Sequence, residues 1–358
     1  MVGTGIVYQQ MDFIYSADFG YRRDQIISIQ QNGAAVERAT TFKNELLRNE
    51  NILSTGTSSN RIGQQLGRTN IFPEGSTSQT NIITSVMSAD ENFIPTMNMT
   101  MVSGRNFSLD YDDSLSMIIN EEMTRLLKWD DPIGRKISIQ TGPNVDTDRT
   151  AYTVVGVVKD FHFATIRHKL EPLFMLYGKN NNALSIKVNA SNITETLTHI
   201  EATWKKVNTG TTFDYAFLDE QFAALYQNEQ AFANMFTHFT LLALFIAGLG
   251  LFALSAFTAE QRKKEIGIRK VLGATNATIF YKLSFEFIML ILISFLFASA
   301  IAYFVMKQWL QDFQYSIDMG FGVFLLAGVA SILIALLTIS FQAFKAALSN
   351  PAEALRSE

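Results

Sequence analysis

The pattern of apolar and polar positions divides the chain near residue 234. Beyond this point lie three long apolar runs, at about 235–257, 279–306 and 321–344. Each run exceeds the roughly 20 residues that cross a bilayer as a helix. His238 is the only ionisable group in the first run, and the third run has no charged residue. The pattern therefore predicts three transmembrane helices in the last third of the chain.

The segment 258–282, which follows the first run and reaches into the start of the second, is the most basic part of the chain. It carries two acidic residues, Glu260 and Glu265. Its positive residues are Arg262, Lys263, Lys264, Arg269, Lys270 and Lys282. Positive residues next to a membrane span are retained on the cytoplasmic side. We therefore expect 258–278 to be a cytoplasmic loop and the large polar region before it to lie on the outer side of the membrane.

That polar region, at 15–234, alternates short strand-like and helix-like segments. Strands are expected at 25–30, 81–87, 116–120, 136–140, 152–159, 184–188 and 213–218, and helices at 34–50, 91–102, 121–129 and 192–207. Segments 54–80 and 141–150 are rich in small polar residues and are expected to be loops or seams between lobes. The predicted fold class is an extracytoplasmic α+β domain with a mixed sheet and two lobes, followed by an all-α transmembrane bundle.

Residues 1–14 form a short apolar segment at the start of the chain. They are too few to span a bilayer, and they lack the basic start and the small-residue cleavage site of a signal peptide. We interpret them as the outer end of a transmembrane helix whose beginning is missing. The bundle would then consist of three full helices and the end of a fourth.

An amphipathic helix is predicted to join the outer region to the first membrane run. It begins at Asp219, which is expected to cap its N-terminus, and it continues through Ala233 without a breaking residue. Its apolar residues are Phe222, Leu225, Tyr226 and Phe232. We expect it to join the first membrane run as a continuous or nearly continuous helix. Because such a rigid connection transmits motion that a flexible linker would absorb, we expect it to act as a transmitting helix.

Charge and cysteine content narrow the class of protein. Of 29 Lys/Arg and 33 Asp/Glu residues, nine and seven lie after residue 234, so the first 234 residues carry a net charge of −6. Such a balance argues against nucleic-acid binding, which requires a basic surface. The chain has no cysteine, which excludes disulfides and Cys-bound metals and fits a bacterial periplasm.

Residues suited to catalysis are scarce. The chain lacks a phosphate-binding G-x-x-x-x-G-K-[ST] motif, so ATP hydrolysis would belong to another chain. The four histidines, at 162, 168, 199 and 238, are too scattered for a metal or catalytic cluster. Asp160 and His162 have the spacing of a proton-transfer pair, but a strand end with alternating polar and aromatic residues explains them better. We expect no catalytic residue, metal or cofactor.

Glu286 is the one carboxylate within a predicted membrane span. An intramembrane acid is a candidate site for a proton or a substrate. It also lies one helical turn past Lys282, near the cytoplasmic end of the span. The competing structural explanations are therefore that its side chain reaches toward the membrane interface, or that it forms an ion pair with Lys282.

The basic loop also contains regularly placed apolar residues. They are Ile266, Ile268, Val271 and Leu272. The segment is expected to break at Gly267 and Gly273. The charges alone would orient the chain and contact anionic lipids. The apolar residues favour, in addition, a short amphipathic helix at the inner surface that docks into a groove of a partner protein.

Several short motifs occur together along the chain. They are Gly248–Phe252, Thr258–Ala274, Trp309–Leu310 and Asn350–Arg356 in the membrane region, and Asp18–Tyr21, Gly104–Phe107, Asn120–Glu122, Asp131–Arg135 and Gly156–Phe163 in the outer region. Together they resemble the FtsX/MacB-like permeases of ABC transporters, in the form common in Bacteroidetes-type bacteria. The resemblance covers essentially the whole chain: 15–234 is similar to a MacB-like periplasmic core domain and 235–358 to an FtsX-like transmembrane domain.

The resemblance implies a dimeric permease bound to a separate cytoplasmic ATPase. Such permeases act as mechanotransmitters, which pass the movement of the ATPases to the periplasmic domains. The ATPase-coupling loop would comprise Lys264, Glu265, Ile266, Gly267, Ile268, Arg269, Lys270, Val271, Leu272, Gly273 and Ala274. The implied location is the bacterial inner membrane, with 15–234 in the periplasm.

The implied partners are the ATPase, a second permease half or a second copy of the chain, the lipid bilayer, and a periplasmic adaptor or lipoprotein. The implied activity is export or release of a lipoprotein, a peptide or a small toxic molecule. The alternative is a membrane-anchored sensor or scaffold, which would bind a periplasmic ligand or a cell-wall hydrolase without ATP-driven transport.

Overall fold

The structure is a computed structural model that describes residues 1–16, 19–21, 24–75, 82–142, 148–163, 169–179 and 181–348. The helices are α1 (Val2–Ser16), α2 (Ala34–Glu37), α3 (Ala39–Leu46), α4 (Phe93–Thr96), α5 (Glu121–Leu127), α6 (Ile193–Val207), α7 (Leu218–Leu225), α8 (Gln227–Gln261), α9 (Lys263–Val271), α10 (Asn276–Leu310) and α11 (Phe321–Leu348). The strands are β1 (Ile26–Gln30), β2 (Ile52–Ser58), β3 (Gly67–Pro73), β4 (Ile82–Ala89), β5 (Met101–Gly104), β6 (Ser116–Asn120), β7 (Lys136–Gln140), β8 (Arg149–Val158), β9 (Leu173–Tyr177), β10 (Ala183–Val188) and β11 (Tyr215–Phe217).

The chain forms two compact units. The outer unit is Ala17–Gln227, and the bundle unit combines Met1–Ser16 with Asn228–Glu358. The outer unit is a mixed α/β domain, and three apolar helices long enough to cross a membrane follow it. This confirms the fold class predicted from the sequence.

One half of the outer unit is a four-stranded antiparallel sheet in the order β11-β1-β10-β2. Helices α2, α3 and α6 cover it and close an apolar core around Trp204. The Trp204 ring meets the Phe42 ring edge to face, with 5.3 Å between centroids. The amphipathic spacing of 192–207 is explained by this packing, because Ile200 and Trp204 of α6 are buried in this core.

The other half is a closed six-stranded barrel. Its hydrogen-bonded neighbours run β4-β3-β7-β8-β6-β9 and return to β4. Two of the six pairings, β4–β9 and β6–β8, are parallel, so the sheet is mixed as predicted. The core of this half includes Ile71, Met117, Ile119, Ile137, Val154 and Phe174. Because the barrel is closed, each of the six strands has a hydrogen-bonded neighbour on both sides.

A small polar junction connects the two halves. Only one residue pair, Ser58 with Ala89, joins β2 to β4 in the strand register. Beside it the Lys43 Nζ lies 2.5 Å from a carboxylate oxygen of Asp90, and the Thr57 hydroxyl donates to the same oxygen at 3.0 Å. Because Asp90 is buried, this paired charge would be costly to separate, so the junction holds the halves together.

Three sequence predictions about the outer unit are wrong. The helix expected at 91–102 is reduced to the single turn of α4, because Asn98 has a positive φ of 55° and the chain then enters β5. Segment 54–80, expected to be a loop or a seam between lobes, contains most of β2 and all of β3, which pair with β10 and β4. Residues 76–81 lie outside the described residues. The continuous helix expected at 34–50 is interrupted at Arg38.

The bundle unit has α1, α10 and α11 packed together at one end. The apolar contacts of this end join Val2, Ile6 and Val7 of α1 to Met306 and Leu310 of α10 and to Val323 and Ala327 of α11. The three candidate membrane spans are Gln227–Gln261, Phe280–Leu310 and Phe321–Ser340. They cover the three runs predicted from the sequence.

Candidate functional site

The basic loop folds as a short helix, α9, between the long helices α8 and α10. The helix ends at Val271, and two residues later Gly273 has a φ of 91°, a left-handed conformation that glycine adopts without steric cost. The Ala274 N–H donates to the Arg269 carbonyl at 2.9 Å, the bond that closes a helix after a left-handed residue. The predicted break at Gly273 is confirmed, whereas the predicted break at Gly267 is wrong because α9 runs through it.

The apolar residues of α9 divide between two faces. Ile266 is buried against Phe287 of α10 and against Ala335 and Ile339 of α11. Ile268, Val271 and Leu272 expose 48%, 67% and 80% of their surface. Ile266 therefore fixes the helix to the bundle, and the other three form an exposed apolar face, which we call the α9 face.

Ion pairs also fix this loop. Arg262, which connects α8 to α9, donates to Glu286 of α10 at 2.8 Å. The partner expected for Glu286 was Lys282, and that expectation is wrong, although the structural explanation of Glu286 as an ion-pair residue holds. Arg269 pairs with Glu265 within α9, one helical turn away. Both members of the Arg262–Glu286 pair are partly exposed, so the pair orients the loop more than it stabilises it.

Other residues of the predicted coupling loop add charge around the α9 face. Lys263 is exposed and pairs with Glu260 at 3.0 Å, and Lys264 is exposed. The side chain of Lys270 lies outside the described residues. The sequence could not have identified the Arg262–Glu286 contact, because the two residues are 24 positions apart and belong to different helices.

The predicted transmitting helix is interrupted. Helix α7 ends at Leu225, and Tyr226 leaves the helical conformation with φ −113° and ψ 13° before α8 begins at Gln227. Of the two expected forms, the connection is therefore the nearly continuous helix and not the continuous one. The N-cap is Phe217, not Asp219, and Asp219 lies in the first turn, where its charge suits the helix dipole.

The four residues assigned to the transmitting helix have different roles. Phe222 and Tyr226 are buried, with ring centroids 5.0 Å apart, and Phe222 also meets Phe19 at 4.3 Å. Both are core residues of the outer unit. Because Tyr226 is buried there, its backbone leaves the helical conformation between α7 and α8. Phe232 contacts Phe236 on α8 at 4.6 Å. The side chain of Leu225 lies outside the described residues.

The Asp160–His162 segment serves the fold. The Asp160 carboxylate accepts the Glu122 backbone N–H at 2.8 Å and pairs with Arg125, so it caps the first turn of α5. Burial raises the pKa of Asp160, and the Glu122 N–H and the Arg125 charge act in the opposite direction. The His162 ring packs edge to face on Phe19. The explanation as a structured strand end therefore holds.

The remaining histidines are not gathered into a site. His199 lies on α6 and His238 on α8, and His168 lies outside the described residues. Among the described residues, no group of three His, Cys, Asp or Glu side chains has the arrangement of a metal site.

Two family models match the chain. The MacB-like periplasmic core domain matches residues 3–193, more than half of the chain, and the FtsX-like permease C-terminal domain matches residues 238–351. The chain belongs to the FtsX/MacB-like ABC transporter permeases. The family predicted from the sequence is thus confirmed, and the α9 face lies within the FtsX-like part.

Solved structures of similar proteins match the outer part of this permease. The periplasmic region of MacB from Actinobacillus actinomycetemcomitans is 12% identical, with a TM-score of 0.41, and the match covers 57% of this chain and 94% of that one. The extracellular domain of the ABC-type transporter YknZ from Gram-positive bacteria is 12% identical, with a TM-score of 0.37, and covers 53% and 97%. A comparison with curated proteins found no match.

Proposed function

We propose that this permease couples ATP hydrolysis by a separate cytoplasmic ATPase to movement of its outer unit, for export or release of a lipoprotein, a peptide or a small toxic molecule. The coupling site is the segment 264–274, which contains most of α9 and the three residues after it. The permease works as a pair, with a second copy or a second permease half, in the bacterial inner membrane. It has no catalytic residue of its own, and a periplasmic adaptor or lipoprotein contacts the outer unit.

The α9 face is the observation that carries this proposal. It is a rigid apolar surface in the most basic segment of the chain, which the charge distribution assigns to the cytoplasm. Covering an apolar side chain that is otherwise exposed contributes about 1.5–3 kcal/mol. Val271 and Leu272, the two most exposed residues of the face, are therefore suited to be the centre of a protein interface.

The buried face of α9 supports transmission of force. Ile266 contacts both α10 and α11, and Arg262 holds the start of α9 to Glu286 on α10. A partner that moves α9 therefore pushes on two membrane helices directly. This arrangement does not require an unbroken helix from α7 to α8.

The test is co-purification of the tagged permease with the ABC ATPase encoded beside it, in a membrane extract. We expect Ile268→Asp and Leu272→Asp to reduce the recovered ATPase by about tenfold or more, since each places a charge in an apolar contact. Gln261→Asp is the matched control, because Gln261 is exposed at the end of α8. Undiminished recovery with both α9 variants would show that the ATPase does not bind there.

A further inference from the structure

Gln10 is a buried polar residue on α1 whose role no sequence pattern indicated. Its side chain has no exposed surface. The Nε2 group donates to the Tyr315 carbonyl at 2.9 Å, and the Oε1 atom accepts the Ile317 backbone N–H at 2.9 Å. One amide thus forms two hydrogen bonds with the backbone of the loop 311–320, which connects α10 to α11. We call this pair of bonds the Gln10 contact.

The Gln10 contact lies beside an apolar cluster that contains α1 and the adjoining ends of α10 and α11. Ile317 and Met319 of the loop pack against the same cluster. Apolar contacts are not directional and allow one surface to slide on another. A paired amide fixes one register, because any shift leaves buried polar groups without hydrogen-bond partners. Gln10 therefore defines where α1 sits along the loop.

The position of α1 in the chain makes that register significant. The outer unit is connected to the bundle unit at two points, after α1 and before α8. Helix α1 is continuous over Val2–Ser16, and the outer unit begins at the next residue, Ala17. A continuous helix that is held in register therefore carries a displacement of the bundle to the start of the outer unit.

We propose that Gln10 is a positioning residue that locks α1 to the loop 311–320, so that α1 follows the outer ends of α10 and α11 when they shift relative to α8. This inference rests on the proposed function, because the shift is driven by the ATPase acting through α9. It assigns the displacement of the outer unit to α1 in addition to the helix that leads into α8.

The Gln10 contact itself can be tested without the ATPase. Hydrogen exchange of the Ile317 amide in the full chain reports directly on the bond to Gln10. Gln10→Met keeps the length of the side chain and removes both bonds, so we expect exchange at Ile317 to become about tenfold faster or more. Gln9→Met is the matched control, since Gln9 is its exposed neighbour on α1. Equal exchange in the two variants would overturn the proposal.

The coupling is tested by a cysteine pair in the permease–ATPase complex. The chain has no cysteine, and the Thr4 and Thr240 hydroxyls lie 2.9 Å apart, so Thr4→Cys with Thr240→Cys reports the separation of α1 from α8. We expect ATP to change the cross-linking rate about threefold or more in the cysteine pair that keeps the native Gln10, and equally in the pair that also carries Gln9→Met. In the pair that carries Gln10→Met, we expect ATP to leave the rate unchanged. A merely structural role for Gln10 would alter the rate without ATP and leave the response to ATP intact.

The outcomes separate this inference from the proposed function. If the ATPase binds through α9 but ATP changes the cross-linking rate equally with Gln10→Met, or in none of the three proteins, the role of Gln10 is wrong and the proposed function stands. If the ATPase does not bind α9, the proposed function fails by its own test, whereas the exchange rate of the Ile317 amide still decides whether the Gln10 contact exists.

Discussion

At the scale of single residues, Asp113 and Arg105 brace the loop that leads into β6. The Arg105 guanidinium donates twice to the Asp113 carboxylate, at 2.9 and 2.7 Å, and the Ser108 N–H donates to the same group. Burial alone would raise the pKa of Asp113, but the hydrogen bonds from Arg105, Ser116 and Ser108, together with the Arg105 charge, lower it to about 2. The ionised carboxylate is therefore the form that the fold stabilises.

A lowered pKa predicts a defined dependence of stability on pH. Because the pKa of Asp113 is lower in the folded chain than its unfolded value of about 3.9, its contribution of about 2–3 kcal/mol is complete above about pH 5 and is lost progressively as pH falls toward 2 and below. We expect Asp113→Asn to lower stability in urea at pH 7 by this amount, and the difference from the native chain to shrink toward pH 2.

The adjacent residue supplies the control for this prediction. Asp112 is exposed, so Asp112→Asn should leave the urea midpoint at pH 7 nearly unchanged. The measurement is the fluorescence of Trp129 and Trp204, which both belong to the outer unit. Replacing Trp309 with Phe leaves these two as the only tryptophans, so their signal reports the unfolding of the outer unit in urea. A gap between Asp113→Asn and the native chain that persists undiminished at pH 2 would contradict the assigned ionisation.

Gly104 and Gly134 separate two costs of replacing a glycine: overlap of the added Cβ with neighbouring atoms, and the strain of a positive φ in a residue that has a Cβ. Gly104 and Gly134 both have positive φ, at 72° and 84°. A Cβ at Gly104 would overlap the Val155 carbonyl oxygen and lie 2.9 Å from the Gly156 Cα, whereas a Cβ at Gly134 would meet nothing within 4 Å. We expect Gly134→Ala to cost about 1–2 kcal/mol from the left-handed backbone alone, and Gly104→Ala at least about 3 kcal/mol. Equal urea midpoints for the two variants would show that β5 can move away from β8.

At the scale of elements, the orientation of the three membrane helices predicts which side each loop faces. Lys263 lies at the α8–α9 junction and Asp312 in the loop 311–320, and both are exposed. Because the chain has no cysteine, Lys263→Cys and Asp312→Cys each report one site. We expect a membrane-impermeant maleimide to label Asp312→Cys in intact spheroplasts and to label Lys263→Cys only after lysis. The opposite pattern would reverse the topology.

The elements also show how far the sequence determines the fold. The strands at 116–120 and 136–140 were predicted with their observed bounds, because short β-branched runs between turn residues leave little choice. The helix predicted at 91–102 failed because a long-range pairing of β5 with β8 outweighed local helix spacing. Barrel closure through β4 and β9 depends on strands nearly 90 residues apart, for which no local pattern exists.

The candidate site was only partly predictable for the same reason. The spacing of Ile266, Ile268 and Val271 indicated an apolar helix, but which of them faces the bundle depends on α10 and α11. The contacts of Arg262 with Glu286 and of Gln10 with Ile317 join residues 24 and 307 positions apart. A single sequence carries no signal for such pairs, because each residue alone looks like an ordinary polar position.

At the scale of the whole molecule, the permease exposes the α9 face, and its large outer unit is inserted in the chain between α1 and α8. A sensor or scaffold would need neither an anchored helix with an exposed apolar face nor a fixed register between α1 and the loop 311–320. The proposed coupling from the cytoplasm uses both. The proposed function therefore predicts that ATP, through the ATPase bound to α9, changes the arrangement of the two outer units.

That prediction is tested most directly by the distance between spin labels on the two outer units of the permease–ATPase complex. Leu109 is exposed, so Leu109→Cys places one label on each copy of this cysteine-free chain. We expect ATP to shift the distance distribution in the otherwise native complex and in Gln261→Asp, and Leu272→Asp to abolish the shift. A distribution that ATP leaves unchanged, in a complex that contains the bound ATPase, would contradict mechanotransmission and favour the sensor or scaffold.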